Sequence, residues 1–95
     1  MKVTWSVRAL RELRAHREYI ARTQPAAAAR IAQRIISSTD RLASYPEYGH
    51  RSAWDATGRL CELVIAGTPF VVLYTIGPNS IIIVRLLHGA ERRGL

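Results

Sequence analysis

Cysteine is almost absent from this chain of 95 residues: Cys61 stands alone. An intramolecular disulfide is excluded, and a reducing, cytoplasmic setting is the expectation. Acidic residues are also scarce, 7 Asp and Glu against 14 Lys and Arg, for a net charge of +7. Lysine occurs only as Lys2, so the positive charge is carried by arginine, the better bidentate partner for phosphate or carboxylate. The opening Met1-Lys2-Val3-Thr4-Trp5-Ser6-Val7-Arg8 has no long apolar run and no small-residue cleavage site, which predicts no signal peptide. The uncharged stretch 63–84 would suit a membrane span by length, since about 20 apolar residues are needed. However, Gly67-Thr68-Pro69 and Gly77-Pro78-Asn79-Ser80 divide it into short pieces rich in Val, Ile, Phe and Tyr. Those are strands by composition, not a helix in a bilayer. His16, His50 and His88 are scattered, and neither a phosphate-cradling glycine loop nor a nucleophile elbow occurs, so no metal and no cofactor are expected.

What remains is a globular composition, 48% hydrophobic and 22% charged, of a length that suits one domain over 1–95. Lys2-Val3-Thr4-Trp5 reads as a short strand. Ser6 is placed to cap a helix running to about residue 22, with Leu10, Leu13 and Ile20 as its apolar stripe and Ala9 and His16 between them. Pro25 suits the first position of a second helix over 25–44, with a stripe of Ala28, Ile31, Ile35 and Leu42 widened by Ala32 and Ile36. Pro46 and Gly49 end the helical region. Strands are predicted over 59–66, 70–76 and 81–88, with tight connections that make an antiparallel meander. The order is β-α-α-β-β-β, an α+β domain with a helical hairpin packed on an antiparallel sheet.

Two-residue loops at Gly67-Thr68 and Pro78-Asn79 would pair Leu63 with Val72, Cys61 with Tyr74, Ile76 with Ile81, Tyr74 with Ile83 and Val72 with Arg85. One face then carries Arg59, Cys61, Leu63, Ile65, Phe70, Val72, Tyr74, Ile83 and Arg85. The other carries Leu60, Glu62, Val64, Val71, Leu73, Ile82, Leu86 and His88. Both faces are mainly apolar, whereas an antiparallel sheet covered on one side has a polar second face. The helical hairpin covers one. A partner protein, a second copy or the loop over 45–57 is needed for the other.

One set of residues could do chemistry. Metal-independent RNA cleavage needs a base, cations for the phosphorane charge and an acid for the leaving oxygen. Glu62 or His88 could be the base, Arg59 and Arg85 the cations, and His88 the acid. The alternative is structural: strand-end arginines form ion pairs, and His88 bonds the backbone at the end of its strand. The basic surface lies on the first helix, including Arg11 and Arg14, and at Arg92 and Arg93. It suits nucleic acid or an acidic protein, or simply a solvated face.

Several pieces in order resemble the ParE/RelE family of bacterial toxins from type II toxin–antitoxin pairs. They are Trp5-Ser6 before Ala9, Leu10 and Leu13, then Tyr19-Ile20-Ala21 and Pro25-Ala26-Ala27-Ala28. Leu42-Ala43 follows, then Pro46-Glu47-Tyr48-Gly49-His50, where the family often has Pro-x-x-Gly-Arg. Glu62-Leu63-Val64, Val72-Leu73-Tyr74 and Arg85-Leu86-Leu87-His88-Gly89-Ala90 complete the set. The Pro-Ala-Ala-Ala start and the His-Gly-Ala ending resemble the ParE branch. The resemblance implies a toxin neutralised by a ParD-like antitoxin, seated on Leu63, Ile65, Phe70, Val72, Tyr74, Ile83 and Arg85. ParE-like members act on DNA gyrase, and here Arg11, Arg14, Arg92 and Arg93 would meet the target. RelE-like members cut mRNA on the ribosome, with basic residues and a C-terminal tyrosine or histidine. This chain departs from that pattern twice: Cys61 stands where an arginine often precedes Glu-Leu, and neither tyrosine nor lysine follows His88.

Overall fold

A computed structural model describes residues 1–52 and 55–89. Strand β1 (Lys2–Trp5) leads into helix α1 (Val7–Ala21) and helix α2 (Pro25–Asp40). Ser6 caps α1, its hydroxyl accepting from the Ala9 amide at 3.0 Å, and Pro25 opens α2 at its first position. The helix expected to reach residue 44 stops at Asp40 and tightens into 3-10 turns over Arg41–Ala43 and Pro46–Tyr48. Four strands follow: β2 (His50–Arg51), β3 (Cys61–Val64), β4 (Phe70–Ile76) and β5 (Ser80–His88). The two-residue β2 lies in the segment expected to be loop.

The sheet has the order β1-β5-β4-β3-β2. It is mixed and not purely antiparallel, because β1 runs parallel to β5. Parallel neighbours need a long crossover, and here the helical hairpin and the strands after it lie between the two. The other pairs are antiparallel. The predicted registers hold for Leu63 with Val72, Cys61 with Tyr74, Tyr74 with Ile83 and Ile76 with Ile81. Beyond Tyr74 the register shifts: Leu73 pairs with Arg85 and Val72 with Leu86. Val84 is thus an extra residue on β5, a β-bulge. Because side chains alternate with a period of two, the bulge reverses every later side chain. Leu86 turns into the core and Arg85 out of it, opposite to the uniform hairpin expected from sequence.

The helices cover the face carrying Leu63, Ile65, Phe70, Val72, Tyr74, Ile81, Ile83 and Leu86. Ala9, Ile35 and Leu42 pack down onto these side chains. Each fully buried Ile or Leu contributes roughly 1.5–3 kcal/mol over its exposed state. On α1 the inward side is Ala9, Leu13 and Ile20, while Leu10, expected in the stripe, is 47% exposed. On α2, Ala28, Ala32, Ile35 and Thr39 are buried and Ile36 is exposed. The second sheet face is only partly open, with Val71, Leu73 and Leu87 buried and Val64 and Ile82 exposed. Among the described residues no helix is long and apolar enough to cross a membrane.

Candidate functional site

The side chains expected to meet an antitoxin lie in the core. Leu63, Ile65, Phe70, Val72, Tyr74 and Ile83 are each at most 4% exposed, because the helical hairpin settles on the face that was assigned to the partner. They hold the domain together and form no docking surface. Tyr74 has a further task. Its hydroxyl donates to the Pro46 carbonyl at 2.8 Å and accepts from the Gly49 amide at 3.0 Å. It thereby fixes the turn that delivers β2 to the sheet edge. Burial pushes its phenol pKa above the ordinary 10. Gly49 is required here, since a Cβ would strike the Glu62 carbonyl and the Tyr74 ring.

The four groups proposed for RNA cleavage do not share one face: the bulge brings Arg85 into the cross-strand row of Leu73 and Glu62, while His88 pairs with Phe70 on the helix side. Arg85 sits beyond the end of β1, where the edge of β5 is left unpaired by a strand. Its Nε donates to both Glu12 oxygens at 3.0 and 3.1 Å, and its terminal nitrogen to Glu12 Oε2 at 2.8 Å. The same carboxylate accepts the Leu86 amide at 3.1 Å, so Glu12 closes the strand edge and holds the guanidinium at once. Pairing with both oxygens is the strong arrangement for arginine and carboxylate. Glu62 is 2% exposed and accepts the Ser52 hydroxyl at 2.9 Å, while His50 Nε2 lies 3.4 Å from its other oxygen. His50 thus meets Glu62 at the position where an arginine is common in the resembling family. Arg59 precedes β3 in an exposed turn, its amide donating to Asp55 Oδ2 at 2.7 Å.

His88 pairs with Phe70 across β4 and β5. Phe70 receives the His88 ring at 5.8 Å and the His16 ring at 4.9 Å, both edge-on. Thus His88 lies on the helix side of the sheet and Arg85 at a position pointing away from it. Strand alternation separates the two, and the bulge at Val84 sets which face each takes. Glu12 and the Tyr74–Gly49 contact escaped sequence reasoning. The helical spacing of Glu12 was legible, but its partner depended on a bulge that no local motif marks.

The exposed arginines Arg11 and Arg14 lie on α1 beside exposed Val7 and Leu10. Arg92 and Arg93 fall outside the described residues.

Residues 3–93 match the model of the ParE toxin of the type II toxin–antitoxin system parDE. The chain belongs to the ParE toxin family. It is 42% identical to Toxin RelE2 of Caulobacter vibrioides over 90 residues, covering 95% of this chain and 97% of that one. Toxin RelE3 of the same organism is 29% identical over 86 residues, covering 90% of this chain and 91% of that one. The fold is similar to a chain of the chromosomal ParDE system from P. aeruginosa, with a TM-score of 0.80, 20% identity, and coverage of 93% of this chain and 95% of that one. This ParE-family chain is therefore the toxin component of a type II toxin–antitoxin system. In it the bulge and Glu12 determine where the arginine of β5 goes.

Proposed function

We propose that this toxin inhibits DNA gyrase through protein contacts and is neutralised by a ParD-like antitoxin. The observation that carries this reading is that the ribonuclease candidates are engaged elsewhere and split between the two sheet faces. Arg85 is engaged by Glu12, Glu62 is buried against Ser52 and His50, and His88 lies on the helix side against Phe70. A cleavage mechanism needs base, acid and cation around one phosphate, whereas here Arg85 and Glu62 are each held by other side chains and His88 lies on the opposite sheet face. A toxin that works by binding needs only a surface. That surface is α1, where Arg11 and Arg14 stand beside Val7 and Leu10, with Arg92 and Arg93 further target-binding candidates from the sequence alone. An acidic antitoxin with apolar anchors fits the same α1 residues and would neutralise the toxin by covering them.

The test is a supercoiling assay with purified gyrase. Inhibition is expected, together with relief by the antitoxin. A folded toxin that leaves gyrase active at every excess, or that cuts translated mRNA, overturns the reading.

A further inference from the structure

An open groove separates α2 from the turn between β3 and β4, lined by arginines and hydroxyls together with Ile31 and alanines. Arg30, Arg34 and Arg41 project into it with Ser37, Ser38 and Thr68. Among the described residues no acidic and no aromatic side chain lines it. All three arginines are exposed, and among the described residues none of them forms an ion pair. Their spacing of four and then seven residues follows one face of α2 into the next turn. At 1.5 Å per residue, the row is about 16 Å long.

The turn is shaped to receive the middle arginine. The Arg34 guanidinium donates to the Ala66 carbonyl at 3.1 Å. Gly67 has φ +77, and a Cβ there would meet that guanidinium at 2.5 Å. The glycine therefore both makes the turn and leaves room for the cation. Arg34 is held in place with donors left over for a ligand.

From this arrangement we infer that the groove binds the phosphate backbone of duplex DNA. A protein partner would need apolar or aromatic anchors at the centre of its contact, and the groove offers none beyond Ile31 and alanines. Arginine forks and hydroxyls without a competing carboxylate match phosphodiester oxygens instead. One strand of a duplex carries one phosphate per roughly 3.4 Å of axis, so the row spans about five phosphates, with three in direct contact with arginine. The choice of DNA over RNA rests on the gyrase reading, since gyrase acts on duplex DNA. The groove would let the toxin grip DNA beside the enzyme it inhibits.

The experiment is fluorescence anisotropy of a labelled short duplex titrated with toxin between roughly 50 and 200 mM salt. The triple variant Arg30→Ala/Arg34→Ala/Arg41→Ala is compared with Arg8→Ala/Arg17→Ala/Arg22→Ala, which removes the same charge elsewhere. Circular dichroism verifies that both fold, as exposed alanine favours helix. Wild type should bind the duplex, and the groove variant should flatten the log–log salt slope by about 2.7, close to 0.9 per lost phosphate. The control should keep the wild-type slope. The inference is overturned if the two variants lose binding equally, or if wild type does not bind duplex at the lowest salt. It is also overturned if a single-stranded RNA of equal length binds tighter, or if polyglutamate displaces the duplex at equal charge. The supercoiling assay separates the two claims: duplex binding through the groove without gyrase inhibition removes the gyrase reading and leaves the groove. Inhibition without duplex binding does the reverse.

Discussion

Glu12 of α1 and Arg85 of β5 meet through three hydrogen bonds of 2.8 to 3.1 Å. The pair joins the first helix to the last strand, and each side chain is about a fifth exposed, Arg85 at 20% and Glu12 at 19%. Since Glu12 also accepts the Leu86 amide, removing it leaves both a half-buried guanidinium and a strand amide without partners. We expect Glu12→Ala to lower stability by about 1–3 kcal/mol, less than for a fully buried pair. Urea unfolding of both single variants and the double variant checks this. The double variant should lose less than the sum, and strict additivity would show that the two groups are not coupled.

Tyr74→Phe keeps the buried ring and removes the hydroxyl that bridges Pro46 and Gly49. The expected cost is about 1–3 kcal/mol, with faster amide exchange at Gly49. Because burial raises the phenol pKa above 10 in the folded state, its contribution is complete below pH 10 and fades as pH climbs past the raised value. Urea midpoints measured across this range should fall for wild type and stay flatter for Tyr74→Phe.

The Asp55 carboxyl organises the exposed turn before β3. The Thr57 hydroxyl bonds it most strongly, followed by the amides of Leu60, Thr57 and Arg59, and its pKa drops from 3.8 to about 2. The unfolded chain takes up this proton first. The stabilising contribution is therefore present above 3.8 and is lost as pH falls from there towards 2. Asp55→Asn should show a smaller fall in thermal midpoint over that range than wild type. Identical acid limbs would contradict the role given to this carboxylate.

His88→Ala removes an edge-on aromatic contact with Phe70, worth about 0.5–1.5 kcal/mol. If His88 has no part in RNA cleavage, growth arrest on expression should persist in this variant. Loss of arrest with the fold intact by circular dichroism would return His88 to the mechanism.

Gly49→Ala should be more damaging than its size suggests. Its backbone is extended, with φ −81, so no strain is involved. The added methyl would press on the Glu62 carbonyl and the Tyr74 hydroxyl, and overpacking of this kind costs about 1–3 kcal/mol. Thermal unfolding tests it, and Tyr74→Phe/Gly49→Ala should not recover the loss, because the Glu62 carbonyl remains.

Much of this protein was legible along the chain, because the signals are local. Ser6 caps α1 through its own hydroxyl, Pro25 begins α2 with its fixed φ, and glycine turns set the hairpin that pairs Leu63 with Val72. The ordered pieces from Trp5 to Ala90 were enough for the family. What the sequence could not specify depended on pairing over distance. Two apolar sheet faces do not reveal which one the helices cover, so residues taken for a partner's surface proved to be core. The parallel partner of β1 and the edge strand β2 arise from closure of the whole sheet. The single extra residue at Val84 reverses Arg85, and groups distant in sequence flank the bulge, with Ser6 Oγ donating to the Val84 carbonyl at 3.2 Å and Glu12 accepting the Leu86 amide at 3.1 Å. Elements and family follow from local propensity and periodicity. The direction in which each functional side chain points was decided by tertiary packing, because a period of two lets one residue invert it.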